Sequence, residues 1–243
     1  MIQPVRPRAA PENSTKRLRI ARNRGNLDAR AEEAVMTQAR PRTRIQQKNR
    51  ATILDAALDV FSQHGFRGAT LDQIANAAGL SKPNVLYYFP SKEAIHEALV
   101  EGLIDTWVQP LADLDPEGDP IEEILAYVRR KLDMSREMPR ESRLFANEIV
   151  QGAPRFGPEI TGSFKDLVDE KAAVIRGWAE AGRINRLDPY HLIFSIWATT
   201  QHYADFDVQV RGILAPEDNT HFKDAATFLA RLYRAALTPQ TGG

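Results

Sequence analysis

The 243-residue sequence contains no cysteine, and this absence excludes disulfide bonds and thiolate metal sites. It also contains no apolar run of about 18 residues and no apolar segment at its N-terminus, so the pattern predicts neither a transmembrane helix nor a signal peptide. Both absences favour a protein that stays in the reducing cytoplasm and has no membrane partner.

The sequence also lacks the residue spacings that common catalytic and cofactor sites require. Its histidines do not show the HExxH spacing that binds zinc, and it has no phosphate loop, dinucleotide glycine pattern or GxSxG nucleophile motif. We therefore predict no metal site, no resident cofactor and no enzymatic activity. The five histidines are His64, His96, His191, His202 and His221.

The formal net charge of zero conceals an uneven distribution of charge along the chain. Residues 1–50 contain 13 Lys or Arg and 4 Asp or Glu, a net charge of +9, so the remaining 193 residues carry −9. A basic segment is typical of contacts with phosphate, and an acidic body is held away from phosphate. This polarity favours nucleic acid as a partner of the N-terminal part.

Residues 1–43 are rich in Arg, Pro, Asn and Ala and show no sustained apolar period, which predicts a largely disordered basic arm. Two interpretations of its first 35 residues stay open: a functional arm, or a passive upstream extension before a natural start at Met36. Immediately before the first predicted helix, which covers 53–66, Arg42, Arg44 and Lys48 can reach the adjacent minor groove or its phosphates. The alternative is that these three residues serve solubility alone.

Two short amphipathic helices are predicted at residues 71–78 and 82–88. Thr70 caps the first helix, its apolar residues recur at helical intervals, and Gly79 supplies the left-handed conformation that ends it. Ser81 caps the second helix. A helix this short, held against a partner helix by a tight turn, fits the major groove of DNA.

The second short helix has polar residues at its start and tyrosines at its end. We expect Val85 and Leu86 to pack inward and the other side chains to face solvent. Lys and Asn side chains can contact base edges, and tyrosine hydroxyls can contact phosphate oxygens. The alternative is a three-helix core unit without a DNA role. The complete predicted DNA-binding set is Arg44, Lys48, Thr70, Ser81, Lys82, Asn84, Tyr87, Tyr88 and Lys92.

Three consecutive segments of this region resemble the DNA-binding domain of the TetR family of bacterial repressors. They are ILDAALDVFSQHGF at 53–66, ATLDQIANAAG at 69–79 and SKPNVLYYFPSKEAI at 81–95. The resemblance implies a helix-turn-helix head, a double-stranded DNA operator as partner, and a cytoplasmic, nucleoid-associated location.

The rest of the chain is helical by pattern, with no β alternation of useful length. We predict an all-α protein in which the helix-turn-helix head is joined to a larger ligand-binding and dimerisation body. The predicted domains are the arm at 1–43, the head at 44–107 and the body at 108–243. The helices predicted after the two short ones cover 91–108, 120–136, 140–151, 159–181, 188–207 and 219–237.

The segment at 188–206 combines an apolar stripe with polar residues. Trp197 and Gln201 stand four residues apart on one helix face. An indole can stack on a planar ring, and a carboxamide matches the N–H and C=O edge of an imide. The residues alone leave a second interpretation open, in which Trp197 packs in the core and Gln201 bonds within a dimer interface.

Within the TetR family, the body segments 141–154, 167–184 and 191–206 resemble regulators of pyrimidine utilisation. The resemblance implies a homodimer that represses pyrimidine-degradation genes and leaves its operator when uracil or thymine binds the body. It also implies that four residues form the ligand site: Trp197, Gln201, Tyr203 and Trp107. The alternatives are a TetR-family repressor that responds to another small planar or apolar ligand, and a helical interaction module that does not bind DNA.

Overall fold

The computed structural model describes residues 44–154 and 162–239, and every regular element in these two ranges is an α-helix. The prediction of an all-α protein is confirmed for this part of the chain. The predicted arm at 1–43 lies outside the described residues. In chain order the helices are α1 (Arg44–Gly68), α2 (Leu71–Ala77), α3 (Lys82–Tyr88), α4 (Lys92–Ala112), α5 (Pro120–Glu137), α6 (Pro139–Val150), α7 (Ser163–Glu180), α8 (Pro189–Asp205), α9 (Asp207–Leu214) and α10 (Thr220–Leu237).

The two short helices of the head begin where the sequence places their caps. The Thr70 hydroxyl accepts a hydrogen bond from the Gln73 amide, and the Gln73 side chain accepts one from the Thr70 amide. This capping box satisfies two amides that would otherwise lack partners. The Ser81 hydroxyl accepts from the Asn84 amide at the start of α3. Both predicted helices are confirmed; the first is one residue shorter than predicted and ends at Ala77.

Two glycines set the directions of the head helices. Gly79 has a φ of 64° in the turn between α2 and α3, and Gly65 has the same φ inside the span of α1. A side chain with a β-carbon is strained in this left-handed region. The predicted left-handed turn at Gly79 is confirmed, and the break at Gly65 bends α1 near its end.

Helix α1 begins much earlier than the sequence pattern suggested. The predicted helix covered 53–66, whereas α1 runs from Arg44 to Gly68. The added residues lack an apolar stripe, but Gln, Lys and Arg all have high helix propensity. Arg44 and Lys48 therefore lie on the first turns of a helix.

The head has its own apolar core, to which helix α6 also contributes. Ile53 and Phe61 of α1, Ile74 of α2 and Val85 of α3 pack together and are fully buried. Leu144 of α6 lies in the same cluster. Helix α6, which follows α5 in sequence, is thus packed directly onto the head.

Three polar contacts reinforce the packing of α6 on the head. The Arg140 guanidinium donates to Asp59 at 2.8 Å and to Asp55 at 3.0 Å, both on α1. His96 Nε2 of α4 lies 3.7 Å from Glu148 Oε2 of α6, and both side chains are buried. Because these contacts join α6 to two different helices, α1 and α4, a displacement of α6 would also move the helices of the head.

Helix α4 connects the head to the body and continues past the predicted boundary. The prediction placed Pro110 in the following loop, and this is wrong because α4 extends to Ala112 with Pro110 inside it. Proline removes one amide donor from the helix ladder. Pro110 and the adjacent Leu111 are buried here, so their packing offsets that loss.

The body surrounds a second apolar core formed by α5, α7, α8 and α10. Its fully buried members include Ile124 of α5, Ile175 of α7 and Ile193 of α8. Helices α5 and α8 begin with an Asp cap followed by Pro, as the sequence predicts for the second of them. Within the described ranges, none of the helices is both long and apolar enough to cross a membrane.

The region after α8 differs from the sequence prediction. Helix α8 ends at Asp205, and the short helix α9 (Asp207–Leu214) follows it almost immediately, in a stretch where no separate helix was predicted. The apolar residues of α9 lack a buried stripe, because Val208 and Ile213 are exposed and only Val210 is buried. A pattern search that looks for a core-facing stripe therefore misses this helix.

Candidate nucleic-acid interface and ligand cavity

The exposed face of α3 carries the central residues of the predicted DNA interface. Val85 is fully buried against the head core, whereas Lys82, Asn84 and Tyr87 are exposed, Tyr87 by 71%. The prediction that Leu86 packs inward is wrong, because its side chain is 39% exposed. Consecutive helix positions are separated by about 100° around the axis. Because α3 packs on one side only, its buried stripe is narrow, and Leu86, next to the buried Val85, lies outside it.

Helix α1 braces the two tyrosines at the end of α3. Asn49 Nδ2 donates to the Tyr88 hydroxyl at 2.9 Å, and Gln46 Nε2 lies 3.4 Å from the Tyr87 hydroxyl. The two rings meet edge to face, with centroids 5.1 Å apart. Since each hydroxyl accepts in these contacts, its own proton stays available for an acceptor such as a phosphate oxygen.

Lys82, in the first turn of α3, does not project freely into solvent. Its Nζ donates to Asp72 Oδ2 at 2.9 Å, and Asp72 lies in the first turn of α2. On the exposed surface of α2 and α3, the Asp72 carboxylate therefore lies beside the Lys82 ammonium, which is predicted to contact DNA.

The two cap residues of the predicted DNA-binding set, Thr70 and Ser81, both use their hydroxyls within the head. Thr70 Oγ1 also donates to Gln73 Oε1 at 2.9 Å. In this structure they fix the starts of α2 and α3, and any DNA contact they make stays a prediction.

Lys92 was predicted to contact the DNA backbone. In the structure its ammonium forms hydrogen bonds within the head. Lys92 Nζ donates to the carbonyl oxygens of Phe66 and Ala69, each at 2.7 Å, and lies 4.4 Å from the centroid of the Phe66 ring. These two carbonyls lie at the end of α1 and just after it. Lys92 thus anchors the start of α4 to the end of α1, and a direct DNA contact stays a prediction.

The remaining predicted basic residues, Arg44 and Lys48, are exposed on the first turns of α1. The Lys48 carbonyl accepts a hydrogen bond from Thr52, as expected within a helix. Arg42 lies outside the described residues. The structure thus brings Arg44 and Lys48 onto the same helix as Gln46 and Asn49, which contact the tyrosines of α3.

A largely apolar cavity of about 310 Å³ lies in the body. Three of the four predicted ligand residues line it: Trp107, Trp197 and Gln201. The other lining residues come from α4, α5, α6 and α7, so the cavity is built by helices distant in sequence. They are Val108, Leu111, Tyr127, Lys131, Phe145, Ile149 and Phe164.

The two indoles of the cavity are held in fixed orientations. Trp197 Nε1 donates to the Tyr127 hydroxyl at 2.6 Å, and its ring is stacked on Phe164 with centroids 5.6 Å apart. Burial raises the pKa of Tyr127, so this phenol stays neutral. Trp107 faces Phe145 with centroids 5.9 Å apart. Rigid aromatic walls favour a flat ligand, because a ring can stack on them without reorganising them.

Gln201, a predicted ligand residue, lines the cavity. Its carboxamide makes no hydrogen bond to another described residue, so its donor and acceptor are available to a ligand. Gln201 also borders a more polar neighbouring cavity of about 460 Å³, shared with Phe145 and Ile149. It therefore stands at the boundary between an apolar aromatic cavity and a more polar one.

Lys131 lines the cavity but was not among the predicted ligand residues. Its side chain is buried, lines the cavity and lies with Nζ 4.4 Å from the centroid of the Trp107 ring. Burial lowers the pKa of Lys131 from 10.5 to about 7, and the nearby Asp205 partly opposes this shift. Burial likewise raises the pKa of Asp205, although Ser142 donates to its carboxylate at 2.6 Å.

Tyr203 does not line the cavity, although the family resemblance suggested it as a wall. It packs instead against His221 and Phe222 of α10, with ring centroids 6.5 and 6.0 Å away. The physical reason is helical geometry: two residues beyond Gln201, a side chain on α8 points about 200° around the helix axis. Tyr203 therefore belongs to the contact between α8 and α10.

The other polar residues of α8 find partners within the protein. The Tyr233 hydroxyl lies 3.2 Å from Ser195 Oγ and 2.9 Å from Thr199 Oγ1. Thr200 Oγ1 donates to the Ile196 carbonyl at 2.6 Å. Of the polar groups whose presence in an apolar helix first suggested a ligand, Gln201 is the one that faces the cavity.

Two regions of the chain match known protein families. Residues 53–99 match the family described as bacterial regulatory proteins, tetR family, and residues 100–240 match the YcdC-like protein, C-terminal region. The HTH-type transcriptional regulator RutR of Escherichia coli (strain K12) is 44% identical over 209 residues, which cover 85% of this chain and 98% of that protein.

Solved structures share the fold at lower identity. The ketosteroid transcriptional regulator KstR2 of Mycobacterium tuberculosis superposes with a TM-score of 0.63 at 21% identity, over 78% of this chain and 94% of that one. AibR, solved in complex with isovaleryl coenzyme A and operator DNA, superposes with a TM-score of 0.60 at 17% identity, over 76% of this chain and 97% of that one.

The predicted resemblance to RutR within the TetR family is confirmed by these matches, which are to transcriptional regulators and not to enzymes. The helix-turn-helix geometry of α2 and α3 and the helical body agree with both family matches. The chain therefore belongs to the TetR family of DNA-binding transcriptional regulators.

Proposed function

We propose that this regulator represses genes of pyrimidine catabolism, binds its operator as a homodimer, and is released when uracil or thymine occupies the body cavity. The observation that carries the proposal is the presence, in one small cavity, of two fixed indoles and the carboxamide of Gln201, which has no hydrogen-bond partner among residues 44–154 and 162–239. The 44% identity to RutR supports the same assignment.

The dimensions of the cavity support a ligand with a single ring. Sites for small molecules typically range from roughly 300 to 1,000 Å³, so a cavity of about 310 Å³ lies at the lower end. A pyrimidine ring can lie flat between aromatic walls, with its imide edge towards Gln201. The carboxamide would then donate to a ring carbonyl and accept from the ring N–H.

Lys131 supplies a second polar group for the same ligand. A uracil ring carries two carbonyl oxygens, and Gln201 can pair with one of them. The Lys131 amine, inside the same cavity, is a donor for the other. Two donors and one acceptor set in apolar walls would select against aromatic ligands that lack an imide, since these would leave buried polar groups unpaired.

Exposed apolar side chains on α8 and α10 support the homodimer. Phe194, Phe228 and Leu232 are large apolar side chains with 48%, 61% and 44% exposure. Apolar faces of this kind mark association surfaces, and two copies related by a two-fold axis would bury the same face twice. A two-fold dimer can place two heads one helical turn of DNA apart, roughly 34 to 36 Å.

The proposed release mechanism uses helices that touch both the cavity and the head. Trp107 and Leu111 of α4 and Phe145 of α6 line the cavity, while α4 begins in the head and α6 contributes Leu144 to the head core. A ligand that binds better when α4 and α6 hold the two heads at a spacing that does not match successive major grooves lowers the affinity for DNA. The expected coupling is about 1 to 3 kcal/mol, or 5- to 150-fold.

A thermal-shift screen of the purified protein with pyrimidines and purines tests the ligand. Uracil or thymine should raise the midpoint, because a ligand that binds the native state stabilises it. Gln201→Ala should abolish the shift without unfolding the protein. Tyr203→Phe is the matched control on the same helix and should keep the shift. A full shift in Gln201→Ala would remove this residue from the site.

The screen also decides between the proposal and a regulator with another effector. Binding of a planar or apolar compound without an imide, together with no response to uracil or thymine, would favour a TetR-family repressor with a different ligand. In that case the aromatic walls would still be required, and Trp197→Phe would be the informative variant. The assignment of DNA binding to the head would still stand after this outcome.

A further inference from the structure

The two helices of the helix-turn-helix are bridged on their exposed surface by one ion pair. Asp72 Oδ2 and Lys82 Nζ are 2.9 Å apart, with 65% and 46% of their side chains exposed. The capping box at Thr70 fixes the turn that carries Asp72, and Ser81 caps the turn that carries Lys82. The positions of both backbones are thus set independently of the ion pair.

This ion pair contributes little to folding. Exposed pairs of this kind are screened by water and salt and are offset by the entropy of ordering two long side chains. The head core and the two helix caps hold α2 and α3 together without it. The placement of Asp72 therefore matters for what Lys82 does at the surface.

A carboxylate at this position acts against indiscriminate binding to DNA. If the Lys82 ammonium contacts a phosphate or a base, the Asp72 carboxylate lies within a Debye length, about 8 Å, of the same phosphates. The carboxylate repels these phosphates. On a duplex where Lys82 finds no matching base, it also offsets the attraction between the Lys82 ammonium and the phosphates. The sequence-independent part of affinity comes from neutralised phosphates, so Asp72 lowers that part.

We propose that Asp72 is a specificity-determining positioning residue of the DNA interface. It holds Lys82 in one orientation at the start of α3 and reduces the affinity for DNA that offers no matching base. On the correct site, the directed Lys82 contact compensates for the carboxylate. The inference rests on α3 entering the DNA, which family membership supports, and does not depend on the identity of the ligand.

The test compares the wild-type protein with Asp72→Asn, which keeps the shape of the side chain and removes its charge. A duplex selected by the wild-type protein from a random library serves as the specific probe, and a scrambled duplex of equal length as the non-specific one. Fluorescence anisotropy at several salt concentrations gives both affinities. Asp218→Asn, a charge change in the loop before α10, is the matched control.

Asp72→Asn should bind the scrambled duplex roughly three- to tenfold more tightly, with a salt slope steeper by up to about 0.9. Its affinity for the selected duplex should change less, so the ratio of the two affinities falls. Asp72→Glu, which keeps the charge, should restore the ratio. In a Lys82→Gln background, Asp72→Asn should cause a smaller loss of the ratio, because the residue it positions is absent.

An unchanged ratio in Asp72→Asn would overturn the proposal, and so would an equal loss in the Lys82→Gln background. Thermal midpoints of all variants should stay within about 2 °C of the wild type, since surface substitutions have small effects. If the wild-type protein selects no duplex at all, the DNA-binding assignment itself fails. That result is distinguishable from failure of the role of Asp72.

Discussion

The buried amine of Lys131 should make the stability of the protein depend on pH in a way that one substitution removes. Its pKa is lowered by burial from 10.5 to about 7. Between these two values the unfolded chain binds a proton that the folded protein does not. The free energy of unfolding should therefore rise as the pH increases from about 7 to 10.5.

The size of this effect follows from the shift. One pKa unit corresponds to about 1.36 kcal/mol, so the full shift corresponds to roughly 5 kcal/mol. Between pH 6 and pH 9 the contribution of Lys131 should change by roughly 2 to 3 kcal/mol. Lys131→Met keeps a chain of similar length and carries no proton. It should therefore stabilise the protein more at pH 6 than at pH 9, by that difference.

Urea unfolding of the ligand-free protein at pH 6, 7.5 and 9 measures this difference. Lys223→Met, a substitution at an exposed lysine of α10, is the matched control and should show no such pH dependence. A gap between wild type and Lys131→Met that is the same at all three pH values would refute the reasoning. It would mean that Lys131 is solvated in the folded protein or is held charged by Asp205.

Three further predictions concern the DNA interface, the dimer and the coupling between them. Lys82→Ala should weaken binding to the selected duplex by about 1 to 3 kcal/mol, and Tyr87→Phe by about 1 kcal/mol, while size-exclusion chromatography shows an unchanged dimer. Leu232→Glu should shift the mass measured by light scattering from dimer to monomer; an unchanged mass would show that this face is not buried. Trp107→Phe should reduce the loss of DNA affinity caused by uracil, and an unchanged response would exclude Trp107 as a link between cavity and head.

The sequence allowed the head to be predicted closely because its signals are local. Thr70 and Ser81 are caps, Gly79 ends a helix, and each acts within a few residues of its own position. The start of α1 at Arg44 was missed because a solvated helix with good propensity has no apolar stripe to reveal it. Leu86 was misplaced because the width of the buried stripe depends on the partner helices.

The cavity was predicted only in part because its walls come from distant segments. Trp197 and Gln201 share one helix face, and that relation can be read from their spacing. Lys131 lies on α5, and its burial follows from the packing of α4, α5 and α8 around it, which no local pattern specifies. A lysine between Val128 and Leu132 on an amphipathic helix was the available signal, since the buried residues of α5 surround it.

Helix α6 has a consequence for attempts to retune this protein as a biosensor. Leu144 packs into the head core while its neighbour Phe145 lines the cavity, so adjacent positions serve two separate tasks. Randomising α6 to accept a new compound would also disturb the fit between head and body, and loss of repression would be mistaken for a response to the compound. Libraries confined to the cavity-facing positions of α5 and α8, such as Tyr127 and Gln201, would change the selectivity without altering the residues that pack on the head.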